Sequence, residues 1–459
     1  MGRDPGEGGR ASKSKLGLGI HAGYGVGAVG TGIYATVPGL LLLFFMTDTL
    51  GIPAWLAGVG IFVPKLWDVL TDPLMGTISD RTQSRWGRRR PYLLAGALSL
   101  PLSFVMLFSL PAFADPMLSF AWVMFAYLLA ATSFTVFSVP YTAMPAEMSE
   151  DYDEVTSLMG WRIALLTVGV LLSGALAPQL VALGGGGRSG YASMSWALAG
   201  MIFAAMFLTF VGTRRAPSRP RLEQDAQPLL EQIRGALAVR PFRVLLGGYA
   251  MQLVGVGVVL ACVPYFARYT LGGDDDTLTF MFVTLVGPAV LVMPVWVRVS
   301  RAIGKRRALL ASTTLFACGA ACLWFARPEG LAVVYACVAL MGIGWAGTQL
   351  FPFSMLPDTI AADRQQSGQR REGVFTGLWM AVDKGGLAVG ALLAGLVLDF
   401  GGFVESEGQA VVNQPSSALT AIRIGAALLP AICMFISLPI LRRYALDRAA
   451  VRELQQEAT

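Results

Sequence analysis

Asp68 and Asp72 lie in the middle of a stretch, residues 53–79, that is otherwise largely apolar and long enough to cross a bilayer. An ionised side chain at that depth costs about 2.5–3.5 kcal/mol on insertion scales, so acids persist there where they face a cavity, an ion or a countercharge. A four-residue step returns a helix to the same face one turn on, which places both carboxylates on one side of one helix. Two close carboxylates favour one shared proton or one bound cation, and hard cations take oxygen ligands. The pair points to a site for a small cation or a proton. Other chemistry has little material: His21 is the sole histidine, and no nucleophile and base stand at usable spacing, so an enzyme is not expected. Cys262, Cys318, Cys322, Cys337 and Cys433 fall in apolar segments without paired loop spacing, which supports neither a disulfide framework nor a cysteine metal site.

The elements that position these acids are membrane spans. The 459 residues are 55% hydrophobic and 14% charged, with 53 glycines and a mean hydropathy of +0.60, outside the usual soluble range. At about 20 apolar residues per crossing, twelve spans are expected, at 19–46, 53–79, 91–111, 117–147, 157–183, 192–212, 242–270, 277–297, 308–326, 331–357, 373–400 and 418–441. Arg81, Arg85, Arg88, Arg89 and Arg90 follow span two; Arg298, Arg301, Lys305, Arg306 and Arg307 follow span eight; Arg364, Arg370 and Arg371 follow span ten. Those loops share one side with both termini. The other side has little beyond Arg188, Arg268 and Arg327, and carries Asp274, Asp275 and Asp276. Lysine and arginine concentrate on the cytoplasmic side, so the expectation is an integral protein of the plasma (inner) membrane with both termini cytoplasmic. The same loops account for the net charge of +6 without a nucleic-acid partner. Residues 1–18 lack the apolar core and cleavage site of a secretory signal and read as a cytoplasmic tail, as do 442–459.

Residues 213–241, with Pro217, Pro220 and Pro228 and several arginines, form the one long polar interruption and read as a cytoplasmic linker between six-span bundles at 19–212 and 242–441. A weak internal repeat agrees: Gly87-Arg88-Arg89-Arg90 after span two recurs as Gly304-Lys305-Arg306-Arg307 after span eight. The expected fold class is an all-α membrane protein with twelve transmembrane helices in two six-helix bundles. This is the major facilitator arrangement, in which substrate is handled between the halves near the midplane.

The run Lys65-Leu66-Trp67-Asp68-Val69-Leu70-Thr71-Asp72-Pro73-Leu74-Met75-Gly76, with Asp80-Arg81 and Arg85-Trp86-Gly87-Arg88-Arg89-Arg90-Pro91 after it, resembles the glycoside-pentoside-hexuronide:cation symporter family. Tyr24-Gly25-Val26-Gly27, Val139-Pro140-Tyr141-Thr142-Ala143-Met144, Glu150 to Glu154 leading to Arg162, Leu356-Pro357-Asp358, Gly368, Arg371-Glu372-Gly373 and Lys384 agree with it, so the resemblance covers nearly the whole chain. It implies a cation site formed by Asp68 and Asp72 with help from span four and a lysine in span eleven. Carried over, Thr71 and Ser138 are the expected neutral oxygen donors, and Lys384 is the positive charge whose competition for the acids couples occupancy to helix movement. The alternative is a permanent salt bridge from an acid to Lys384 that braces the two halves. Lys65, one turn before Asp68, is expected to neutralise it in the unloaded carrier. Asp383 points about 100° away from Lys384 and is expected to add a secondary charge in the cavity.

The resemblance implies a sugar or glycoside as substrate, and there the chain departs. Sugar-transporting relatives carry an acid in span one, where this chain reads Gly30-Thr31-Gly32-Ile33-Tyr34. They also carry an acid before the span-four proline, where it has Ser138, and an aromatic in the same turn, where it has Thr142. Thr31, Tyr34, Thr142, Arg162, Trp345, Gln349 and Trp379 remain as substrate-binding candidates, although each aromatic could equally be packing or lipid-facing. Arg162 has a second reading, a gate salt bridge with Glu147 or another acid. Asp80, Arg81, Arg88, Arg89 and Arg90, with Glu147, are expected to form a cytoplasmic gate that bridges helices when that side closes. Their alternative is to set topology and touch anionic lipid.

The expected function is secondary active transport by alternating access: symport of a small polar solute with Na⁺ or H⁺, without a cofactor beyond the coupling ion, by a monomer in contact with membrane lipid. A lysolipid or other amphipathic substrate is the alternative, because lipid-transporting relatives keep the span-two acids and the span-eleven lysine yet lack the span-one acid. A non-transporting assembly protein on the same fold is a further alternative, which the retained intramembrane charges disfavour.

Overall fold

A computed structural model describes residues 16–149, 151–217, 229–367, 371–406 and 412–446. Glu150, Gly368, Arg370, Pro220 and Pro228, and most of both expected tails, lie outside the described residues. Helices and no strand form among those described. Twelve are long and apolar enough to cross a membrane: Leu18–Leu42, Ala54–Arg81, Arg90–Phe108, Pro116–Met148, Asp153–Leu183, Gly187–Gly212, Arg240–Thr270, Asp275–Ile303, Lys305–Phe325, Pro328–Gln365, Glu372–Phe400 and Ser416–Arg442. They are called spans one to twelve below. Span ten is longer than its apolar stretch because the polar residues after Pro357 continue the helix. Span one is less regular than its hydropathy implies. It breaks at Val26 among closely spaced glycines, which weaken helix, and ends in π-helical turns at Pro38–Leu42 and Phe45–Thr49. The second of these turns carries Asp48.

Span two packs on span four within the first half and on span eleven of the second, while span five meets span eight and span one meets span seven. Glycine makes the first of these cross-half contacts possible: a Cβ on Gly395 would stand 2.4 Å from the Ala54 carbonyl, so the backbones of spans two and eleven touch. That approach holds Lys384, three turns along span eleven, within reach of Asp72.

The internal repeat has a structural counterpart at the arginine-rich ends. In the first half Arg88 and Arg89 bond Glu147 at the end of span four, at 2.6 and 2.8 Å, Arg89 also pairs with Asp80, and Arg90 donates to the Phe210 carbonyl of span six at 2.9 Å. In the second half Lys305 bonds Asp358 of span ten at 2.6 Å, and Arg306 donates to the Tyr444 carbonyl beyond span twelve at 3.0 Å. Every one of these contacts stays inside one half. In this conformation, open on that side, Asp80, Arg88, Arg89 and Glu147 brace spans two, three and four of a single bundle, whereas the expected gate belongs to the closed form. Arg81 is exposed and outside the cluster.

The halves are sealed to one another on the opposite side. Asp48 accepts from the Tyr269 hydroxyl and lies 3.6 Å from Arg268; Ser406 donates to the Asp48 carbonyl at 2.7 Å; Thr47 and Tyr265 share a bond of 2.6 Å; and Glu405 accepts from the Ala54 N–H at 3.2 Å. Gln179 of span five adds a bond of 2.6 Å to Asp276 of span eight. Among the described residues, the polar contacts between halves lie on this side or at the midplane, so the cleft between the bundles opens toward the arginine-rich side.

Two outcomes follow from these clusters. Arg89 and Glu147 are buried whereas Lys305 is 43% exposed. Glu147→Ala is expected to cost about 3–5 kcal/mol by stranding a buried charge, against about 1 kcal/mol or less for Asp358→Ala. Thermal unfolding in detergent separates them, and equal losses would contradict the assignment. On the sealed side, burial pushes the Asp48 carboxyl above the usual carboxylate range, while Tyr269, Arg268 and Ser406 pull it back. A raised acid favours the sealed form at low pH, and that contribution is lost as pH rises through the raised value. Spin labels at Leu183→Cys and Phe400→Cys, both exposed near that end, in a background without native cysteines, should report separation growing as pH rises. Asp48→Asn should flatten that response, and an unchanged response in the variant would refute the link.

Candidate cation and coupling site

Span two presents Asp68 and Asp72 one turn apart, and Pro73, which has no N–H, follows Asp72 within the helix. Asp68 is fully buried, while Asp72 keeps 26% of its side chain accessible. Lys384 reaches across from span eleven: its Nζ lies 2.5 Å from Asp72 Oδ2 and 3.9 Å from Asp68 Oδ2. Thr135 of span four completes the arrangement by donating to Asp72 Oδ1 at 2.8 Å, with Asp68 Oδ1 at 3.4 Å. Asp68 Oδ2 is buried and accepts no hydrogen bond. Three elements thus converge on four carboxylate oxygens, one of which has coordinating capacity to spare.

Thr135 was not among the expected oxygen donors, and neither Thr71 nor Ser138 bonds an acid in this conformation. The Thr71 hydroxyl donates to its own helix, to the Trp67 carbonyl at 3.0 Å and the Asp68 carbonyl at 3.4 Å, the back-bonding open to any helical threonine. Ser138 lies one turn beyond Thr135 and makes no hydrogen bond to either acid. A threonine within an apolar span carries no distinguishing signal, and only the register of span four against span two selects Thr135.

Lys65 makes no direct bond to Asp68, but it stands close enough for its charge to act on that carboxylate. Its ammonium lies 5.6 Å from the centre of the Tyr34 ring and 5.9 Å from that of Tyr127, a cation–π arrangement in place of a salt bridge. Tyr34 stacks on Phe134 at 4.8 Å, and Lys384 stands 5.7 Å from the Phe134 ring. An aromatic pair thus separates the two lysines. Asp383 accepts from the Tyr249 hydroxyl of span seven at 2.5 Å, which anchors it inside the second half, while the charges of Lys384 and Lys65 still act on it. If all are ionised, Asp68, Asp72 and Asp383 against Lys65 and Lys384 carry one net negative charge.

The expected substrate contacts are placed unevenly. Trp379 is buried, stacked on Tyr249 at 4.4 Å and edge-on to Phe353, so it packs the second bundle. Thr31 and Thr142 bond carbonyls of their own helices. Tyr34 is buried with its hydroxyl unpartnered. Arg162 lies over Tyr141 at 5.7 Å with its Nε unpartnered. No acid pairs with it among the described residues, and Glu147 is engaged by Arg88 and Arg89. Trp345 and Gln349, one turn apart on span ten, are half-buried, and the Trp345 Nε1 has no acceptor.

The chain matches known proteins over almost its full length. The family described as MFS/sugar transport protein matches residues 23–448. Identity is 28% to an uncharacterized symporter of Synechocystis sp., covering 97% of each chain, and 28% to a putative glycoside/cation symporter of Escherichia coli, covering 95% of this chain and 93% of that one. It is 22% to a sodium-dependent lysophosphatidylcholine symporter of Danio rerio, covering 95% and 88%. A solved structure of a bacterial homolog of the human lysosomal transporter Spinster shares the fold, with a TM-score of 0.69 at 13% identity over 96% of this chain and 97% of that one. With both halves matched in this way, the chain belongs to the MFS/sugar transport protein family, as a secondary transporter of the glycoside-pentoside-hexuronide symporter group.

Proposed function

We propose that this transporter couples entry of one Na⁺ or H⁺ to uptake of a small polar solute, with the arginine-rich side facing the cytoplasm. The observation that carries the reading is Lys384 from one half seated on Asp72 of the other, beside Asp68 Oδ2, which lacks a donor. A cation entering between the acids takes over the charge that Lys384 supplies and frees spans two and eleven to separate. In the conformation described the cleft opens toward the arginine-rich side and the lysine is engaged, which fits a carrier that has released its load inward and can return.

A sugar or glycoside is the first substrate class, in keeping with the Escherichia coli relative described as a putative glycoside/cation symporter. An amphipathic lipid is the second reading. It is favoured by the span-one wall, where Thr31 is bonded to its own helix and Tyr34 packs its ring on Phe134, which leaves few free polar groups besides the Tyr34 hydroxyl, and by the relative whose name specifies a lysophospholipid.

Ligand that binds only the folded form raises its stability by mass action. Titrating Na⁺, Li⁺ and pH at constant ionic strength should therefore give a saturable rise in unfolding temperature that Asp68→Asn and Asp72→Asn each abolish. Thr135→Val, which removes one bond to a charged acceptor, should shift the midpoint by about tenfold or more and leave the response intact. Unaltered midpoints in all three variants would exclude this site as the cation site.

A further inference from the structure

A second charged cavity lies away from the cleft, at the arginine-rich end of the first half. It has a volume of about 70 Å³ and is lined by Trp86, the Arg88–Arg90 run, Glu147, Arg214 and apolar groups that include Met148 and Pro217. At about 10–15 Å³ per water position, that admits several waters or one tetrahedral anion. Arg88 and Arg89 are committed to Glu147, with Asp80 also on Arg89. Arg90 and Arg214 have no acid partner among the described residues, and they repel one another. The Arg90 guanidinium is held in place by the Phe210 ring at 4.7 Å and the Phe210 carbonyl, which leaves its buried Nε without an acceptor. Two positive charges on one cavity, one of them held in place and carrying an unmet donor, call for an anion with several oxygens.

We propose that this cavity binds the phosphate of an anionic membrane lipid. Its position supports a lipid source. The cavity lies where spans two, three and six end, at headgroup level, with the exposed Trp86 edge-on to Phe210 as an interfacial aromatic. Phe207, Leu208 and Val211 of span six are exposed immediately below, where acyl chains would lie. Basic pockets between spans are the usual seats of such headgroups.

Native mass spectrometry of the full-length protein tests this, with phosphatidylglycerol, phosphatidylcholine or inorganic phosphate added at matched concentration. The expected result is one phosphatidylglycerol retained in preference to phosphatidylcholine. Arg214→Gln, an exposed position that does not threaten folding, should weaken that binding by about tenfold. Arg215→Gln makes the same charge change next to the cavity lining and should leave binding unchanged. Equal binding of the two lipids, equal loss in both variants, or displacement of the lipid by inorganic phosphate at matched concentration would each overturn the proposal.

Discussion

The contact on which the remaining architecture depends is the charge shared between Lys384 and the Asp68–Asp72 pair. Carboxylates in a membrane span persist only when compensated, and here the ammonium that bonds Asp72 comes from the other half of the molecule. That makes charge neutrality a function of how the halves sit. Separating spans two and eleven without another cation would strip Asp72 of its ion pair, and in the proposed mechanism a bound cation releases Lys384. A local electrostatic requirement therefore becomes a condition on a rigid-body movement. The glycine contact between Gly395 and Ala54 lets the helices come close enough for the requirement to be met.

The two ends of the cleft are built differently. At the end bearing Asp48, bonds from spans one, two and five reach across to spans seven, eight and the segment after span eleven. At the arginine-rich end the strong ion pairs run within each half, so the bundles can part there without breaking them. This leaves each half able to move as a unit, as rocking of one bundle against the other requires.

Much of this was legible in the sequence, for identifiable reasons. The twelve spans follow from hydropathy because a bilayer leaves few other ways to satisfy a backbone, and the four-residue spacing of Asp68 and Asp72 determined their shared face. Lys384 was reachable only through the resemblance, since spacing alone cannot connect residues 312 positions apart. Thr135 was not reachable, and Ser138, one turn away, stood in its place, because the register between two helices is decided by packing. The break in span one and the Asp48 seal were missed together. Thr47-Asp48-Thr49 reads as a loop after the apolar run, yet it forms a π-helical turn whose partners Tyr269 and Ser406 lie in the other half. Trp379 shows the limit for aromatics, because its spacing is the same whether it stacks on a ligand or, as here, on Tyr249.

The most direct test of the account is equilibrium cation binding to purified protein, by radiosodium for Na⁺ and by proton uptake for H⁺, in the wild type and in Lys384→Gln. If the lysine and the cation compete for the same two acids, removing the lysine takes away a repulsion of about 4 kcal/mol at 4 Å and an effective dielectric constant near 20. Partial exposure of Asp72 will screen some of that, so binding of the coupling cation should tighten by at least about tenfold. Unchanged or weaker binding in the variant would contradict the competition, and with it the claim that Lys384 couples the cation site to movement of the halves.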